Sequence, residues 1–370
     1  MRQKILVAMS GGVDSSVAAA LLLEAGHEVA GATIRTWASN TCASRNTRAC
    51  CGLTGVEDAR AVADRLGIRY WVFNFEEEFK RHVVDYFAAE YLSGRTPNPC
   101  IACNEHIKFR LFLKRARQLG FDRIATGHYA GLGRDETSGS YFIEEGKDPA
   151  KDQSYVLFPL SQDTLAHLHL PLGFYEKAEI REKARALSLV SVSEKPDSQE
   201  ICFIPSNDYA TFVEREFGAP KKEGIVRTRE GEILGTHSGY HQFTRGQRRG
   251  LGIPHKERLY VLETLPETNE VIVGTKPEVF DREFAVERVN WFLRPSETNF
   301  RAQVKIRSQH ERSQASLEIL EENKVQIIFD EPQEAVTPGQ AAVFYEGPKV
   351  LGGGWIGSVR HCEPGRGEAI

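Results

Sequence analysis

The 370-residue sequence predicts a parallel-sheet α/β domain at the N-terminus, then a small, mostly β central domain and a C-terminal β-barrel. Three observations carry this. Short apolar runs alternate with amphipathic stretches through the first part of the chain, and parallel strands require such crossovers. After Gly218 the texture changes to short alternating runs broken by Gly and Pro, the pattern of hairpins and meanders. No apolar run approaches the roughly 20 residues of a membrane span.

The elements follow in order. "KILVAM" (4–9) is a buried-strand run, and a Gly/Ser loop separates it from the helical "SSVAAALLLEAG". "HEVAGATI" alternates as a strand, "GVEDARAVADRLGI" is an amphipathic helix stopped at Gly67, and "RYWVFNF" is again strand-like. "EEEFKRHVVDYFAAEYLSG" and "IKFRLFLKRARQLG" read as helices before the strand "DRIATGHY". Residues 165–215 are mainly helical. The expected domains are 1–215, 216–277 and 278–370.

Composition is that of an ordinary soluble protein, 41% hydrophobic and 26% charged. "MRQKILVAM" enters a strand without the h-region and cleavage site of a signal peptide, so a cytoplasmic location is expected. Seven cysteines, Cys42, Cys50, Cys51, Cys100, Cys103, Cys202 and Cys362, are too irregularly spaced for a secreted disulfide scaffold. The net charge of −4 argues against a uniformly basic nucleic-acid binder but leaves room for local patches. Two stretches qualify, 240–258 with five Lys/Arg to one acid and 301–313 with four to one. In the first, Arg245, Gln247, Arg248 and Arg249 are expected to hold phosphates, which guanidinium forks match in geometry. A solvated face is the commoner reading of any single charge run.

"VAMSGGVDSS" (7–16) is the most specific motif. It joins the first strand to the first helix, where free N–H groups and the helix dipole favour an anion. Gly11 and Gly12 allow close backbone approach, and Ser10, Ser15 and Ser16 offer hydroxyls. Neither a Walker A lysine nor G-x-G-x-x-G is present. "TPNPCIACNEHIKF" (96–109) sets two cysteines three apart. Such a pair can hold a metal or cluster, close a disulfide, or divide a covalent reaction. Cys103, just before the helix expected from Asn104, reads as a thiolate activated by the helix dipole. For each cysteine taken alone, a buried inert thiol is the usual outcome. Cys42, Cys50 and Cys51 form a thiol-rich loop with no credible zinc pairing.

The S-G-G-V-D-S string resembles the PP-loop of N-type ATP pyrophosphatases, with an adenine nucleotide α-hydrolase-like fold. With "TPNPCIACNEHIKF", "ATGHYA", "KDQSYVLF", "SQEICFIP", "FTRGQRRGLGI" and "VTPGQAAVFYEGPKVLGGGWI", the chain resembles, from end to end, the tRNA-specific 2-thiouridylases, the MnmA family. The resemblance implies ATP-dependent replacement of the C2 oxygen of tRNA uridine 34 by sulfur. ATP is then held by Ala8, Met9, Ser10, Gly11, Gly12, Val13, Asp14 and Ser15, with Ile34 and Gly127 flanking the nucleoside. Asp14 helps hold magnesium (Mg2+) pyrophosphate. Asn98, Pro99 and Cys100 meet the target base, Cys103 is the nucleophile and Cys202 carries the persulfide. His128, Lys151, Asp152, Gln153, Arg307, Ser308 and Gln340 touch tRNA. The implied partners are the lysine, glutamate and glutamine tRNAs and a cysteine desulfurase or sulfur-relay protein.

Cys100 departs from the family pattern, since many members carry an aspartate there, and any acid–base role becomes doubtful. With Cys103 and Cys202 it makes three soft ligands, the set for a [4Fe–4S] cluster with one open iron. Thiolation through a protein persulfide and thiolation through such a cluster are both open on the sequence, as is a tRNA-binding or iron–sulfur scaffold without catalysis. Another PP-loop synthetase would explain the nucleotide loop but neither the cysteines nor the β domains.

Overall fold

The computed structural model describes residues 2–36, 53–189, 201–204, 208–219 and 221–360. Cys42, Cys50, Cys51 and Cys362 lie outside them. The chain forms two compact units. One comprises Met1–Asp85, Pro99–Asn207 and Pro348–Val350; the other comprises Tyr86–Asn98, Asp208–Gly347 and Leu351–Ile370.

In the first unit the strands are β1 (Lys4–Ala8), β2 (Glu28–Arg35), β3 (Tyr70–Asn74), β4 (Arg123–Ala125), the hairpin β5 (Ala130–Arg134) and β6 (Tyr141–Glu145), and β7 (Leu168–His169). The sheet runs β3-β2-β1-β4-β7 with every pairing parallel, as the strand–helix alternation predicts. β1 is central, and Ile5, Leu6 and Val7 are fully buried. Helix α1 (Val13–Glu24) is covered on nearly all sides; Val17, Ala18 and Ala19 have no exposure. Its small residues let it pack against β1, α2 (Leu53–Leu66) and α8 (Lys177–Ala186) at once. Strand order reverses between β1 and β4. In open α/β sheets the crevice at the carboxyl ends of such a pair is where ligands bind.

Between β3 and β4 run two long helical stretches. The first joins α3 (Glu76–Phe79), Lys80–Val84 and α4 (Asp85–Leu92); the second joins α5 (Pro99–Ala102), Cys103–Leu111 and α6 (Phe112–Gln118). Lys80–Val84 and Cys103–Leu111 are wound more widely than an α-helix, with i→i−5 hydrogen bonds, a winding frequent at functional sites. α7 (Gln162–Ala166) is capped by Ser161, whose Oγ accepts from the Thr164 N–H at 3.2 Å.

The second unit holds α9 (Tyr209–Phe217), capped by Asp208, and two β assemblies. β8 (Gly224–Arg227), β9 (Ile233–His237), β10 (Tyr260–Leu265) and β11 (Glu270–Gly274) form a sheet ordered β10-β11-β8-β9. β12 (Phe280–Trp291), β13 (Asn299–Lys305), β14 (Ser313–Glu321), β15 (Lys324–Glu334), β16 (Ala341–Glu346) and β17 (Lys349–Arg360) form a six-stranded barrel that closes through β12–β17. Its interior is the alternating set Phe284, Val286, Val304, Leu317, Ile327, Phe329 and Phe344. The two β assemblies are those the sequence predicts. Residues Tyr86–Asn98 also belong to this unit, because their aromatic side chains find partners in it. Tyr91 stacks on Tyr209 at 4.7 Å, Phe87 meets Phe212 edge-on, and Tyr86 packs on Trp355.

Arg245 corrects a sequence expectation. It is not a phosphate-holding surface arginine: its side chain is 7% exposed and its Nη2 donates at 2.7 Å to Asp281, 1% exposed. Nη1 donates to the carbonyl of Leu262. A guanidinium is accepted in such a site only when a carboxylate neutralises it. Gln247 is likewise spent locally, accepting from the Thr244 N–H and donating to the Arg249 carbonyl. Arg248 and Arg249 are exposed. Removing one partner of the buried pair, as in Asp281→Ala, is expected to cost about 3–5 kcal/mol in chemical denaturation. The double change Arg245→Met with Asp281→Leu is expected to cost much less than either single change.

Candidate active site

The loop from Ser10 to Gly12 leaves the end of β1 and enters α1 with Gly12 as an N-cap lacking any side-chain cap, so the first N–H groups of the helix face the loop. Gly11 has φ +76, and a Cβ there would lie 2.3 Å from the Gly55 carbonyl oxygen, so only glycine fits. The serine hydroxyls shape the loop from within. Ser15 Oγ accepts from the Ser10 N–H at 3.1 Å and donates to the Gly12 carbonyl at 3.2 Å; Ser16 Oγ donates to the same carbonyl at 2.8 Å. Met9 is tied to β2, its carbonyl accepting from Thr33 Oγ1 at 2.6 Å, and Ile34 follows, 8% exposed. Gly127, just beyond β4, lies against the backbone of Asp14 and Ser15.

Asp14 is the electrostatic centre. Lys177 Nζ donates to both carboxylate oxygens, at 2.9 and 2.8 Å, and the Tyr129 hydroxyl donates to Oδ1 at 2.6 Å. The ammonium also sits 5.7 Å from the Tyr129 ring centroid. Lys177 is only 8% exposed and opens α8, its backbone N–H donating to Asp148 Oδ2 at 3.0 Å. Neither Lys177 nor Tyr129 was singled out in the sequence. Lys177 is 163 residues from Asp14, and its one local signal is its position at the start of a helix.

The "KDQ" residues support this clasp. Gln153 Oε1 accepts from the Tyr129 N–H at 3.0 Å, and the Gln153 N–H donates to the Tyr129 carbonyl at 2.9 Å. Asp152 accepts from Gly146 N–H, Ser154 N–H and Ser154 Oγ, holding the turn. Lys151 precedes them, half-buried. His128 is 8% exposed, with Thr126 Oγ1 at 2.8 Å from Nδ1 and the Phe109 ring at 5.4 Å. It is thus inside the first unit, between the nucleotide loop and the helix that follows Cys103.

The cysteine segment starts one turn earlier than the sequence suggested. The helix begins at Pro99, not after Cys103, because proline suits the first helical position, where its missing N–H costs nothing. Exposed Cys100 therefore occupies the first turn, where the dipole favours a thiolate, and Cys103 lies a turn further in, 7% exposed. Next to it Asn104, 1% exposed, donates to the Val156 carbonyl at 3.1 Å. Cys202 is exposed, and its neighbour Phe203 is buried against Phe79 of α3, ring centroids 5.7 Å apart. α3 packs in turn on Cys103–Leu111. Among the described residues no three His, Cys, Asp or Glu side chains gather where a metal ion could sit.

In the second unit, Ser308 is exposed and Arg307 is half-buried, donating to the Glu334 carbonyl at 3.0 Å. Gln340 is half-buried and donates to the carbonyls of Thr96 and Pro97 at 2.9 and 3.1 Å. Asn98 continues from there into Pro99.

Burial, with Lys108 adding to it, pushes the His128 imidazole down to about 3, so it is neutral at pH 7. The unfolded chain takes up this proton near the ordinary histidine value while the native state refuses it. Native stability is therefore lost as pH falls from that value towards about 3. His128→Gln is expected to flatten this acid limb by up to about 1.4 kcal/mol per pH unit, measured as denaturation free energy against pH.

Three family models match in order. They are a tRNA methyl transferase HUP domain over residues 3–206, a tRNA methyl transferase PRC-barrel domain over 210–275 and an aminomethyltransferase β-barrel domain over 281–356. Relatives named tRNA-specific 2-thiouridylase MnmA align along almost their whole length. The one from Carboxydothermus hydrogenoformans is 50% identical, with 96% of this chain and 98% of that protein covered. Those from Geobacter metallireducens and Clostridioides difficile are 48% and 44% identical, again with 96% of this chain covered, and with 97% and 98% of theirs. A PP-loop at the switch point of a parallel sheet, two following β domains and full-length identity of this order agree: the chain belongs to the tRNA-specific 2-thiouridylase (MnmA) family.

Proposed function

We propose that this chain is an ATP-dependent tRNA-uridine 2-sulfurtransferase acting on uridine 34 of the lysine, glutamate and glutamine tRNAs. The observation that carries the reading is the full-length match to 2-thiouridylases combined with an intact S-G-G-V-D-S loop at an uncapped helix start. ATP enters as its Mg2+ complex, with Ile34 and Gly127 beside the nucleoside and its phosphates along Ser10–Ser15. Charge builds on the departing pyrophosphate, and Lys177, already desolvated and aimed at the loop, offsets it.

The uridine C2 oxygen attacks the α-phosphorus and pyrophosphate leaves. The terminal sulfur of a Cys202 persulfide then attacks C2 and expels AMP, leaving a C2–S–S–Cys202 linkage. The Cys103 thiolate attacks the Cys202 sulfur, breaks the S–S bond and releases 2-thiouridine as the thiolate, which takes up a proton. The resulting Cys103–Cys202 disulfide is reopened by a dithiol reductant, two electrons per turnover. Sulfur comes from a cysteine desulfurase or a relay protein. A uridine in an anticodon loop is cheaply unstacked and reaches Asn98, Pro99 and Cys100 by flipping out. Exposed Arg248 and Arg249, with Ser308, are suited to the RNA backbone.

The test supplies ATP, unmodified tRNA and a persulfide donor to protein purified without oxygen. Pyrophosphate release should require tRNA. Cys103→Ala and Cys202→Ala should abolish thiolation yet retain tRNA-dependent pyrophosphate release, and Lys177→Ala should slow that release about 10²–10³-fold. Release without tRNA would mean a different synthetase, and no release at all a scaffold. Thiolation that follows near-stoichiometric bound iron and sulfide would replace the persulfide with a cluster.

A further inference from the structure

The two widely wound segments, Lys80–Val84 and Cys103–Leu111, pack on each other within the first unit, and two histidines meet where they do. The rings of His82 and His106 lie 4.8 Å apart, tilted by 37°. Each imidazole accepts from a guanidinium. Arg81 Nη2 donates to His82 Nε2 at 3.0 Å, and Arg110 Nη2 donates to His106 Nδ1 at 2.8 Å. A ring nitrogen that accepts carries no proton, so both imidazoles are neutral and their N–H groups are His82 Nδ1 and His106 Nε2. The pKa directions agree. Burial, helped by Arg110 and His82, brings His106 down to about 4, and burial with Arg81 and Arg110 lowers His82 against the opposing pull of Glu78. The Glu105 carboxylate stands 3.7 Å from His106 Nε2, beyond hydrogen-bond reach.

We propose that Arg81, His82, His106 and Arg110 form a phosphodiester site beside the helical stretch that carries Cys103, and that its occupant is an RNA backbone phosphate. Two features carry this. The first is charge left uncompensated. Among the described residues neither Arg81 nor Arg110 forms an ion pair with a carboxylate, whereas Arg35, Arg69 and Arg117 of the same unit rest on Glu76, Glu28 and Asp163. Both Arg81 and Arg110 are exposed, and each is held by a neutral acceptor that orients the guanidinium fork without cancelling its charge. The second is that the cluster presents donors. One nitrogen of each ring already accepts, and what remains on the two forks and the two rings is N–H, which suits a ligand that only accepts. A phosphodiester is such a ligand and carries the matching charge. A protein carboxylate would accept too. Cys103, however, lies three residues before His106, and in the proposed reaction the RNA strand must come to this segment. That the occupant is RNA therefore rests on the proposed tRNA thiolation; the anion site itself does not.

The experiment measures tRNA binding to the full chain without ATP, over a series of salt concentrations. Wild type is compared with the double variants Arg81→Gln with Arg110→Gln and Arg81→Lys with Arg110→Lys, and with Arg69→Gln as a control for the loss of an exposed charge. The glutamine pair should weaken binding about tenfold at about 0.1 M salt and make the slope of log K against log salt shallower by about 0.7–0.9, the value of one phosphate. The lysine pair should keep the wild-type slope and lose about threefold in affinity, since the charge remains and the fork does not. Arg69→Gln should change neither. Unchanged slope and affinity in the glutamine pair, or an equal loss in Arg69→Gln, would overturn the proposal. So would a glutamine pair that binds tRNA normally but takes up sulfur more slowly from a cysteine desulfurase, which assigns the surface to an acidic protein. A second measurement uses wild type alone. The imidazole nitrogen resonances of His82 and His106 should shift with inorganic phosphate and stay in place with chloride at equal ionic strength; no difference between the two salts means there is no anion site. Should wild type bind no tRNA, the proposed activity and the RNA occupant fail together, and the phosphate titration still judges the anion site.

Discussion

The geometry of the nucleotide loop depends on the bidentate contact between Asp14 and Lys177. The lysine is almost out of solvent and the carboxylate is partly so, with side-chain exposures of 10% and 31%. Ions in such a setting are stable only as a well-formed pair, and removing one partner leaves the other uncompensated. The pair draws three distant stretches together. α1 brings Asp14, α8 brings Lys177, and the turn after β4 brings Tyr129, itself held on both backbone groups by Gln153. In the proposed reaction, a polyphosphate arriving at the uncapped start of α1 meets a cation whose desolvation and orientation were settled during folding. The electrostatic work at the moment of reaction is correspondingly small.

In the second unit, polar side chains that look like surface groups in the sequence act as internal ties. Arg245 neutralises Asp281 under the Leu262 carbonyl, and Tyr240, Thr264 and Gln340 each satisfy a carbonyl of the 92–97 stretch. A buried or half-buried carbonyl without a donor is costly, so these contacts are required by the irregular backbone they serve. The stretch has little regular structure of its own and takes its shape from the elements around it.

What could be read from the sequence follows the range of the forces involved. The Ser10–Gly12 loop was legible because strand, glycines and helix start are contiguous, and the parallel sheet because its crossovers leave a local rhythm. The β domains announced themselves through alternation. The Asp14–Lys177 pair was not legible, since nothing near Lys177 distinguishes it from the surface lysines of other helices. Arg245 was misread for a related reason: its neighbours Arg248 and Arg249 do face solvent, and charge alone does not separate them. The start of the cysteine helix was within reach, because a proline at 99 marks a first helical position better than the cysteine four residues later. The neutrality of His128 required knowing that Phe109 and Thr126 enclose it.

The wide winding of Cys103–Leu111 bears on how this helix tolerates change. An α-helix turns by about 100° per residue, so one residue gained or lost ordinarily rotates everything beyond it onto another face. Cys103, the proposed nucleophile, at one end and buried Phe112, Leu113 and Ala116 at the other have different neighbours. A widened coil alters the rotation between its two ends, so the winding itself sets which neighbours each end meets. Tightening that coil by a single deletion would turn the Cys103 thiol onto another face, so for the proposed reaction the length of this segment matters as much as the cysteine itself.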